Sequence, residues 1–424
     1  MNFPELSNTK STVLSVLLQM KSINKARMKF MLHIFNLFLG IKGRLNFLQF
    51  GRFGKYAEQT YRNQFEEGFS FLEFNKIMVK EHASDNLAIA FDPSYISKSG
   101  KKTPGVGYFW SGLAGQAKWG LEIGGLAAVD IDNHTAFHLD AVQTIGLGEG
   151  ETLPEYYAKV ILARKETLRE VSKILLADAY FSKRTFIGPL VRGGFTVISR
   201  LRNDADLKYL YTGAKKKGKG RPKKPAWPAG RHDGKVNIQE LDEGKIIKVS
   251  EVENEKVHSG IVFSKSLKTD IRLVVVKTKN KNKWSHKLYF STDTEMDWER
   301  VLTFYRNRFQ IEFLYRDGKQ FTGLDDCEAR SASKLDFHFN TSLTSINLVK
   351  MAHWMTVPKS ERGPFSMADA KNIYHNELQI NRFVRKFGIN PYTKKNKHKI
   401  RQLTYYGWVH DKMHKREKKI KLAT

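Results

Sequence analysis

The most informative stretch of the chain is residues 304–319, which read Phe-Tyr-Arg-Asn-Arg-Phe-Gln-Ile-Glu-Phe-Leu-Tyr-Arg-Asp-Gly-Lys. On a single helix, at about 100° per residue, four of these side chains fall within roughly 60° of each other. They are Tyr305, Arg308, Glu312 and Lys319. A carboxylate framed by cations predicts a metal ligand beside groups that bind phosphate. The alternative is a charged helix face on which Glu312 forms an ordinary i,i+4 pair with Arg308 or Arg316.

Size and charge narrow the class of partner. The chain has 424 residues, enough for more than one domain, and its hydrophobic content of 41% is that of a globular protein. The formal net charge of +29 opposes compaction unless a polyanion binds. Nucleic acid is the leading candidate partner and an anionic membrane surface the second. Because the basic residues are scattered along the chain and not gathered on one amphipathic helix, the membrane alternative is the weaker one.

The cysteine content suits a reducing cytosol, and the longest apolar stretch does not suit a membrane span. Cys327 is the single cysteine, which excludes a disulfide framework and a cysteine-rich zinc site. The apolar residues 28–41 are interrupted by Lys29, His33 and Asn36 and are too few to span a bilayer. They also lack the small-residue cleavage pattern of a signal peptide. We therefore expect a cytoplasmic protein.

The centre of the chain has the pattern of a mixed α/β fold. Strands are predicted over residues 86–91, 118–130, 135–143, 174–177 and 195–200, with helices over 153–173 and 183–192. Asp92 follows the first strand and Asp178 the fourth. Sites in open α/β sheets form at the carboxyl ends of strands. If the first and fourth strands are neighbours, the two aspartates meet.

The flanking regions differ in composition. Apolar residues recur at helical spacing in residues 1–80, which fit either a small DNA-binding domain or a helical packing module with a basic face. A β-rich insertion is predicted over 201–291, with a basic loop at 215–224 that is either a DNA contact or a solvated linker. Its predicted strands are 245–249, 259–263, 271–276 and 287–291. The predicted units are therefore 1–80, a core over 81–200 and 292–355 that ends in a helix at 338–354, the insertion over 201–291, and a basic helical region over 356–424.

Three acids on these elements suggest metal chemistry. Asp92 and Asp178 follow strands, and Glu312 lies on a helix. Clusters of carboxylates without cysteine or histidine prefer hard ions such as Mg²⁺ or Mn²⁺. Two such ions can activate an attacking oxygen and stabilise a leaving one at phosphorus. Taken singly, an aspartate after a strand is most often a turn residue, so the prediction depends on the agreement of all three.

These residues resemble a known family, the bacterial insertion-sequence transposases with an Asp-Asp-Glu triad and a ribonuclease H-like core. One branch carries a Tyr-(2)-Arg-(3)-Glu-(6)-Lys signature, and every spacing is kept in Tyr305, Arg308, Glu312 and Lys319. The resemblance extends loosely over residues 85–350. One departure is that Pro93-Ser94 stands where the family often has Asp-Thr.

The resemblance implies a fold and a set of roles. The fold is a ribonuclease H-like mixed sheet flanked by helices and interrupted by a β-rich insertion. The implied catalytic and metal-binding residues are Asp92, Asp178 and Glu312, which hold two Mg²⁺ or Mn²⁺ ions. Arg308 and Lys319 then contact phosphates of the transposon end and Tyr305 orders the same end. Some relatives stack a flipped base on a tryptophan of the insertion, for which Trp284 is the candidate, with Trp227 in the basic loop as a second; a core tryptophan is the alternative.

The predicted function is a DNA transposase that moves its own insertion sequence by cut-and-paste. Its partners are double-stranded DNA, as terminal inverted repeats and target, and a second copy of the chain in a homodimer implied by the family. We expect it in the bacterial cytoplasm, at the nucleoid. Two alternatives stay open: a metal-dependent nuclease of the same fold without strand transfer, and a DNA-binding relative that has lost catalysis.

Overall fold

A computed structural model describes residues 4–21, 23–210, 232–281 and 283–407 of the chain. The predicted basic loop at 215–224, Trp227 and the end of the C-terminal basic region lie outside these residues. No helix in the described ranges is both long and apolar enough to cross a bilayer.

Five helices occupy the N-terminal part of the described chain. They are α1 (Pro4–Gln19), α2 (Lys25–Gly40), α3 (Phe47–Phe53), α4 (Glu58–Glu66) and α5 (Phe71–His82). Asn24 and Asn46 cap α2 and α3 by accepting a backbone N–H three residues on, which explains where these helices begin. Their apolar faces belong to the same hydrophobic core as the central sheet. Asn75 of α5, for example, donates to the backbone oxygen of Leu139 and to Thr344.

The central sheet is mixed, as predicted. Its strands are β1 (Leu87–Ser97), β2 (Gly107–Ser111), β3 (Gln116–Asp130), β4 (Thr135–Gln143), β5 (Ile174–Ala177) and β6 (Thr196–Leu201). The order is β4-β3-β1-β5-β6, with β3 antiparallel to β1 and with β5 and β6 running parallel to it. The edge strand β2, which pairs with β3, was not predicted. The predicted helix over 153–173 is two helices, α6 (Leu153–Leu162) and α7 (Lys165–Val171), and α8 (Arg184–Arg192) precedes β6.

The β-rich insertion continues the same sheet. Its strands are β7 (Leu207–Leu210), β8 (His232–Lys235), β9 (Ile246–Val252), β10 (Glu255–Ser264), β11 (Thr269–Asn280) and β12 (Lys283–Ser291). Strand β12 pairs antiparallel with β6, so the described strands form one twelve-stranded sheet. The short strands β7 and β8 were not predicted. This architecture confirms the predicted mixed α/β class and is consistent with a ribonuclease H-like core.

The remaining helices pack against the sheet or form the C-terminal region. They are α9 (Trp298–Asn307), α10 (Gln310–Phe321), α11 (Ala332–Val349), α12 (Met367–Lys386) and α13 (Lys394–Thr404). The predicted helix at 338–354 begins earlier, at Ala332, and ends in a π-helical turn over Lys350–Trp354. Helix α11 is buried on nearly all sides, and its Asn340 and Asn347 satisfy backbone groups of β4. The domain limits stay a prediction.

Candidate active site

Strand pairing brings the two aspartates to neighbouring positions. Ile89, Ala90 and Phe91 of β1 pair in parallel with Leu175, Leu176 and Ala177 of β5. Asp92 and Asp178 directly follow the last of these pairs, so the condition set by the sequence, that the first and fourth strands are neighbours, is met. One detail differs, because β1 does not end at Asp92 but runs on to Ser97 through its antiparallel pairing with β3. Pro93 is compatible with this position since pairing with β5 has already stopped at Phe91.

The signature stretch is two helices and not one. Helix α9 ends at Asn307 and α10 begins at Gln310, although Arg308 and Phe309 keep right-handed helical dihedrals. Between them the backbone makes tightened i to i+3 bonds, from Ile311 N to Arg308 O and from Glu312 N to Phe309 O. The 100° rule therefore does not hold across the junction, and the prediction of one continuous stripe was wrong.

The junction places Arg308 between two acids. Its Nη1 donates to Oδ1 of Asp92 at 3.2 Å, and its Nη2 donates to Oε1 of Glu312 at 3.1 Å. The second contact is the i,i+4 pair that the alternative reading of the sequence expected. The first joins residues 216 positions apart, so the pair is part of a tertiary cluster and not an isolated helix-surface interaction. The Arg308 and Asp92 side chains are only 12% and 19% exposed.

Electrostatics link Asp178 to the same cluster. Burial raises the pKa of Asp92 to about 7; Arg308 opposes this shift, whereas the nearby charges of Glu312 and Asp178 add to it. Burial by itself lowers the pKa of Arg308, but Asp92, Tyr305, Asp178 and Glu312 together raise it above its ordinary value. Each of the three acids therefore lies within electrostatic range of the same guanidinium.

Two tyrosines complete the cluster. The Tyr305 ring contacts the Tyr289 ring of β12 at a centroid distance of 5.0 Å, and burial raises the Tyr305 pKa. Tyr315, which sequence reasoning missed, donates its hydroxyl hydrogen to the backbone oxygen of Asp92. A Cβ at Gly125, the residue of β3 opposite Asp92, would meet the Tyr315 hydroxyl at 2.0 Å. Its position three residues after Glu312, on the same face of α10, was the available signal.

Lys319 and Trp284 do not join the carboxylates. The ammonium of Lys319 donates to the backbone oxygen of Tyr95 at 2.6 Å, and burial lowers its pKa. Trp284 lies near the start of β12, 45% exposed, with the Nζ of Lys256 5.4 Å from its ring centroid. The alternative of a core tryptophan is therefore not what the structure shows. The roles of both residues stay predictions.

The three carboxylates are ligands of the kind that a hard cation prefers, but two of them, Asp92 and Glu312, are paired with Arg308 in this structure. In the described parts of the chain no group of three or more His, Cys, Asp or Glu side chains is arranged to hold a metal ion. The guanidinium of Arg308 lies between two of the three acids and contacts one oxygen of each. The charges of Glu312 and Asp178 raise the pKa of the buried Asp92, and a divalent cation bound by such oxygen donors would offset this repulsion. A cation that used the two oxygens contacted by Arg308 would displace the guanidinium from them.

Comparison with known proteins gives one informative match. A family model described as "Transposase DDE domain" matches residues 159–348, somewhat less than half of the chain. The match supports a DDE transposase. The matched segment contains Asp178, Glu312 and the whole Tyr305–Lys319 signature, whereas Asp92 lies before it.

The other comparisons add little. No protein of curated function matches the sequence. Among solved structures, the chain is similar to a piggyBac transposase in a cryo-EM synaptic complex with hairpin DNA, at 12% identity and a TM-score of 0.41, covering 94% of this chain and 82% of that one. A likeness at this TM-score carries no argument about function.

Proposed function

We propose that the protein is a cut-and-paste DNA transposase that uses divalent cations to cleave the ends of its insertion sequence and to join them to target DNA. The observation that carries the proposal is the tertiary cluster around Arg308. It gathers Asp92, Glu312 and Asp178, from two strands and a helix, into one unit of mutually interacting charge. The transposase domain match over residues 159–348 supports the same conclusion.

Each residue of the cluster then has a defined task. Asp92, Asp178 and Glu312 hold two Mg²⁺ or Mn²⁺ ions. Bound ions would supply activation of the attacking oxygen and stabilisation of the leaving oxygen at phosphorus. Arg308 neutralises the acids before the ions and DNA arrive, and afterwards its guanidinium is available to a DNA phosphate.

The surrounding residues position the cluster and the DNA end. Tyr315 fixes the backbone of β1 beside Asp92. Tyr305 packs against Tyr289 and orders the transposon end. Lys319 and Trp284 contact DNA farther from the carboxylates. The proposal includes terminal inverted repeats and target DNA as substrates, a homodimer that bridges two ends, and a bacterial, nucleoid-associated location.

Cleavage of DNA that carries the ends of the encoding element tests the proposal. We expect wild type to cut in Mg²⁺ but not in Ca²⁺, and Glu312→Gln to bind the ends without cutting them. The loss should be about a thousandfold or more, which corresponds to about 4 kcal/mol of transition-state stabilisation at 1.36 kcal/mol per factor of ten. Glu299→Gln is the matched control, because Glu299 is an exposed residue in the first turn of α9.

The outcomes separate the alternatives. If Glu312→Gln cuts as well as wild type, Glu312 is not a catalytic ligand. If neither protein cuts but both bind, the protein is a DNA-binding relative without catalysis. If wild type cuts but fails to join a pre-cleaved end to a second DNA, it is a nuclease of the same fold.

A further inference from the structure

The β2–β3 hairpin carries an exposed aromatic surface that the cleavage chemistry does not use. Strand β3 runs antiparallel to β1, and the two pair as far as Ser97 and Gly120. Residues 107–119 therefore extend beyond the carboxyl end of β1, past the candidate active site. Tyr108, Trp110 and Trp119 in this extension are 74%, 64% and 38% exposed. Aromatic side chains exposed in this way usually mark a binding surface.

The three rings share one face of the hairpin. Tyr108 lies directly opposite Trp119 in the register, with ring centroids 5.3 Å apart, and Trp110 lies two residues from Tyr108 on the same strand. Because side chains alternate along a strand, residues two apart point to the same face. We call the rings of Tyr108, Trp110 and Trp119 the aromatic face.

The aromatic face lies on the same side of the sheet as the side chain of Asp92. Asp92 is opposite Gly125 on β3, and steps of two residues lead from Gly125 through Ile123 and Leu121 to Trp119. No irregularity interrupts the β1–β3 register over this distance. Six residues of strand span about 20 Å, a length that a few nucleotides cover, so the rings lie within reach of a nucleic acid strand held at the carboxylates.

Charge around the hairpin favours a polyanion. The residues between Asp92 and Glu122 include Lys98, Lys101, Lys102 and Lys118 and no acidic residue. Lys98 is used internally, since it donates to the backbone oxygens of Cys327 and Ala329. Over the part of the chain that the structure describes, Lys101, Lys102 and Lys118 form no ion pair. These three ammonium groups are available to phosphates.

The hairpin is held in place before any partner binds. Trp119 donates its ring N–H to the backbone oxygen of Gly100 at 2.9 Å, which ties the hairpin to the preceding lysine-rich turn. Tyr95 of β1 donates its hydroxyl hydrogen to the backbone oxygen of Trp119 at 2.6 Å. The backbone oxygen of the same Tyr95 accepts from Lys319, so β1 links the hairpin to α10. A surface held in this way loses little conformational entropy on binding.

We propose that the aromatic face binds an unpaired stretch of DNA strand next to the cleaved position, with bases stacked on Trp110 and its neighbours and phosphates on the three free lysines. This inference rests on the proposed function, and it adds a DNA-binding site outside the carboxylate cluster. Unpaired bases fit better than a duplex because their faces can stack on aromatic rings, whereas in a duplex they are already stacked on each other.

The test uses the full-length protein in metal-free buffer, so that cleavage does not contribute. The probe is a single-stranded oligonucleotide with 2-aminopurine at its centre, whose fluorescence falls on stacking, beside the same sequence as a duplex. We expect Trp110→Ala to weaken single-strand binding roughly tenfold and to reduce the quenching, with little change for the duplex. Trp110→Phe should keep most of the affinity, because a phenylalanine ring still stacks.

Leu113→Ala is the matched control, since Leu113 is a fully exposed apolar residue of the same hairpin. It should bind the single strand as wild type does. The proposal is overturned if Trp110→Ala binds the single strand normally, if single strand and duplex lose affinity equally, or if Trp110→Ala changes only the oligomeric state, which would make the face a protein interface. Cleavage of element ends by wild type, measured separately, decides the proposed function, so either conclusion can fail without the other.

Discussion

Two β extensions project beyond the carboxyl ends of the central parallel strands, one on each side of the candidate carboxylates. The β2–β3 hairpin extends past the end of β1, and the beginning of β12 extends past Leu201, the last residue of β6. Both carry an exposed tryptophan, Trp110 in the first and Trp284 in the second. Because β1, β5 and β6 run parallel, both extensions lie at their carboxyl ends.

The two extensions differ in charge. The lysine beside Trp284 is Lys256, which is already paired with Glu251 at 2.6 Å, and Glu251 also pairs with Lys248 at 2.6 Å. The hairpin has lysines but no carboxylate of its own, from residue 93 to residue 121. An ammonium that has to leave a carboxylate before it can bind a phosphate gains less from the exchange.

The two extensions differ also in the face of the sheet on which their tryptophans lie. Trp284 is five residues from Tyr289, so strand alternation places it on the opposite face of β12 from the side chain that contacts Tyr305. The aromatic face of the hairpin is on the Asp92 side of the sheet. The DNA contact proposed for Trp284 would therefore lie on the face of β12 away from Tyr305, where the neighbouring lysines are already paired with Glu251.

Among the effects that distinguish the two extensions, the largest we expect is on the salt dependence of DNA binding. Replacing Lys101, Lys102 and Lys118 with glutamine removes three unpaired cations from the hairpin. Each phosphate contact on a single strand contributes about 0.7 to the slope of log K against log salt, so the slope should fall by about 2 and affinity near 0.1 M salt by about 10²-fold. Titration of a single-stranded oligonucleotide at several salt concentrations measures both.

The matched variant replaces three lysines of the insertion that are already paired with carboxylates. Lys248 and Lys256 pair with Glu251, and Lys265 pairs with Asp206 at 3.1 Å. Their replacement with glutamine should change the slope by less than about 1. Equal losses in the two triple variants would show that pairing with acids does not distinguish the two extensions.

A smaller effect concerns Asp92, in the carboxylate cluster between the two extensions. The pKa of Asp92 in the folded protein is about 7, against an ordinary value of 3.8. The folded state therefore holds this proton more tightly than the unfolded state, and the resulting stability is fully present below about pH 4 and is lost as pH rises through 7. Asp92→Asn does not titrate, so it should be more stable than wild type above pH 7, by about 1–2 kcal/mol after allowance for partial exposure of the site.

Thermal unfolding in metal-free buffer, followed from pH 4 to pH 8, measures this difference. The two proteins should have similar midpoints near pH 4 and diverge as pH rises, while Asp92→Asn loses cleavage of element ends. Parallel curves at every pH would mean that burial does not raise the pKa of Asp92 in the folded protein.

The sequence predicted the parts of this site that depend on local pattern. Alternation and apolar runs located β3, β4, β5 and β6 to within a few residues. They placed Asp92 beside Asp178 only on the condition that the first and fourth strands are neighbours. The contact between Arg308 and Asp92 could not be predicted in this way. It depends on how α9 and α10 lie against β1, and nothing in residues 304–319 specifies that packing.

The break between α9 and α10 had no local signal either. Residues 305–312 contain neither glycine nor proline, and Arg308 and Phe309 stay helical in their dihedrals, so the tightened turn is set by tertiary contacts such as those of Arg308. Strand β2 was missed for a different reason. It has five residues, follows a turn rich in glycine and lysine, and is an edge strand, whose short aromatic alternation at Tyr108 and Trp110 was the only clue.

The smallest effect we expect comes from removing a single hydrogen bond that anchors each extension. Tyr95→Phe removes the hydroxyl that donates to the backbone oxygen of Trp119 and keeps the ring, which covers Gly120. A single hydrogen bond contributes about 0.5–1.5 kcal/mol, and this one is exposed, so a loss at the low end is expected. Hydrogen exchange should become faster at the hairpin amides 107–119 and stay unchanged in the insertion.

Tyr209→Phe is the counterpart in the insertion, where the Tyr209 hydroxyl accepts from the backbone N–H of Asp242 at 3.0 Å. It should speed exchange around residues 242–246 and leave the hairpin as it is. If Tyr95→Phe leaves exchange in the hairpin at the wild-type rate, the β2–β3 ladder alone holds the aromatic face. In that case the Tyr95 hydroxyl would not couple α10 to the hairpin, and both extensions would be anchored independently of α10.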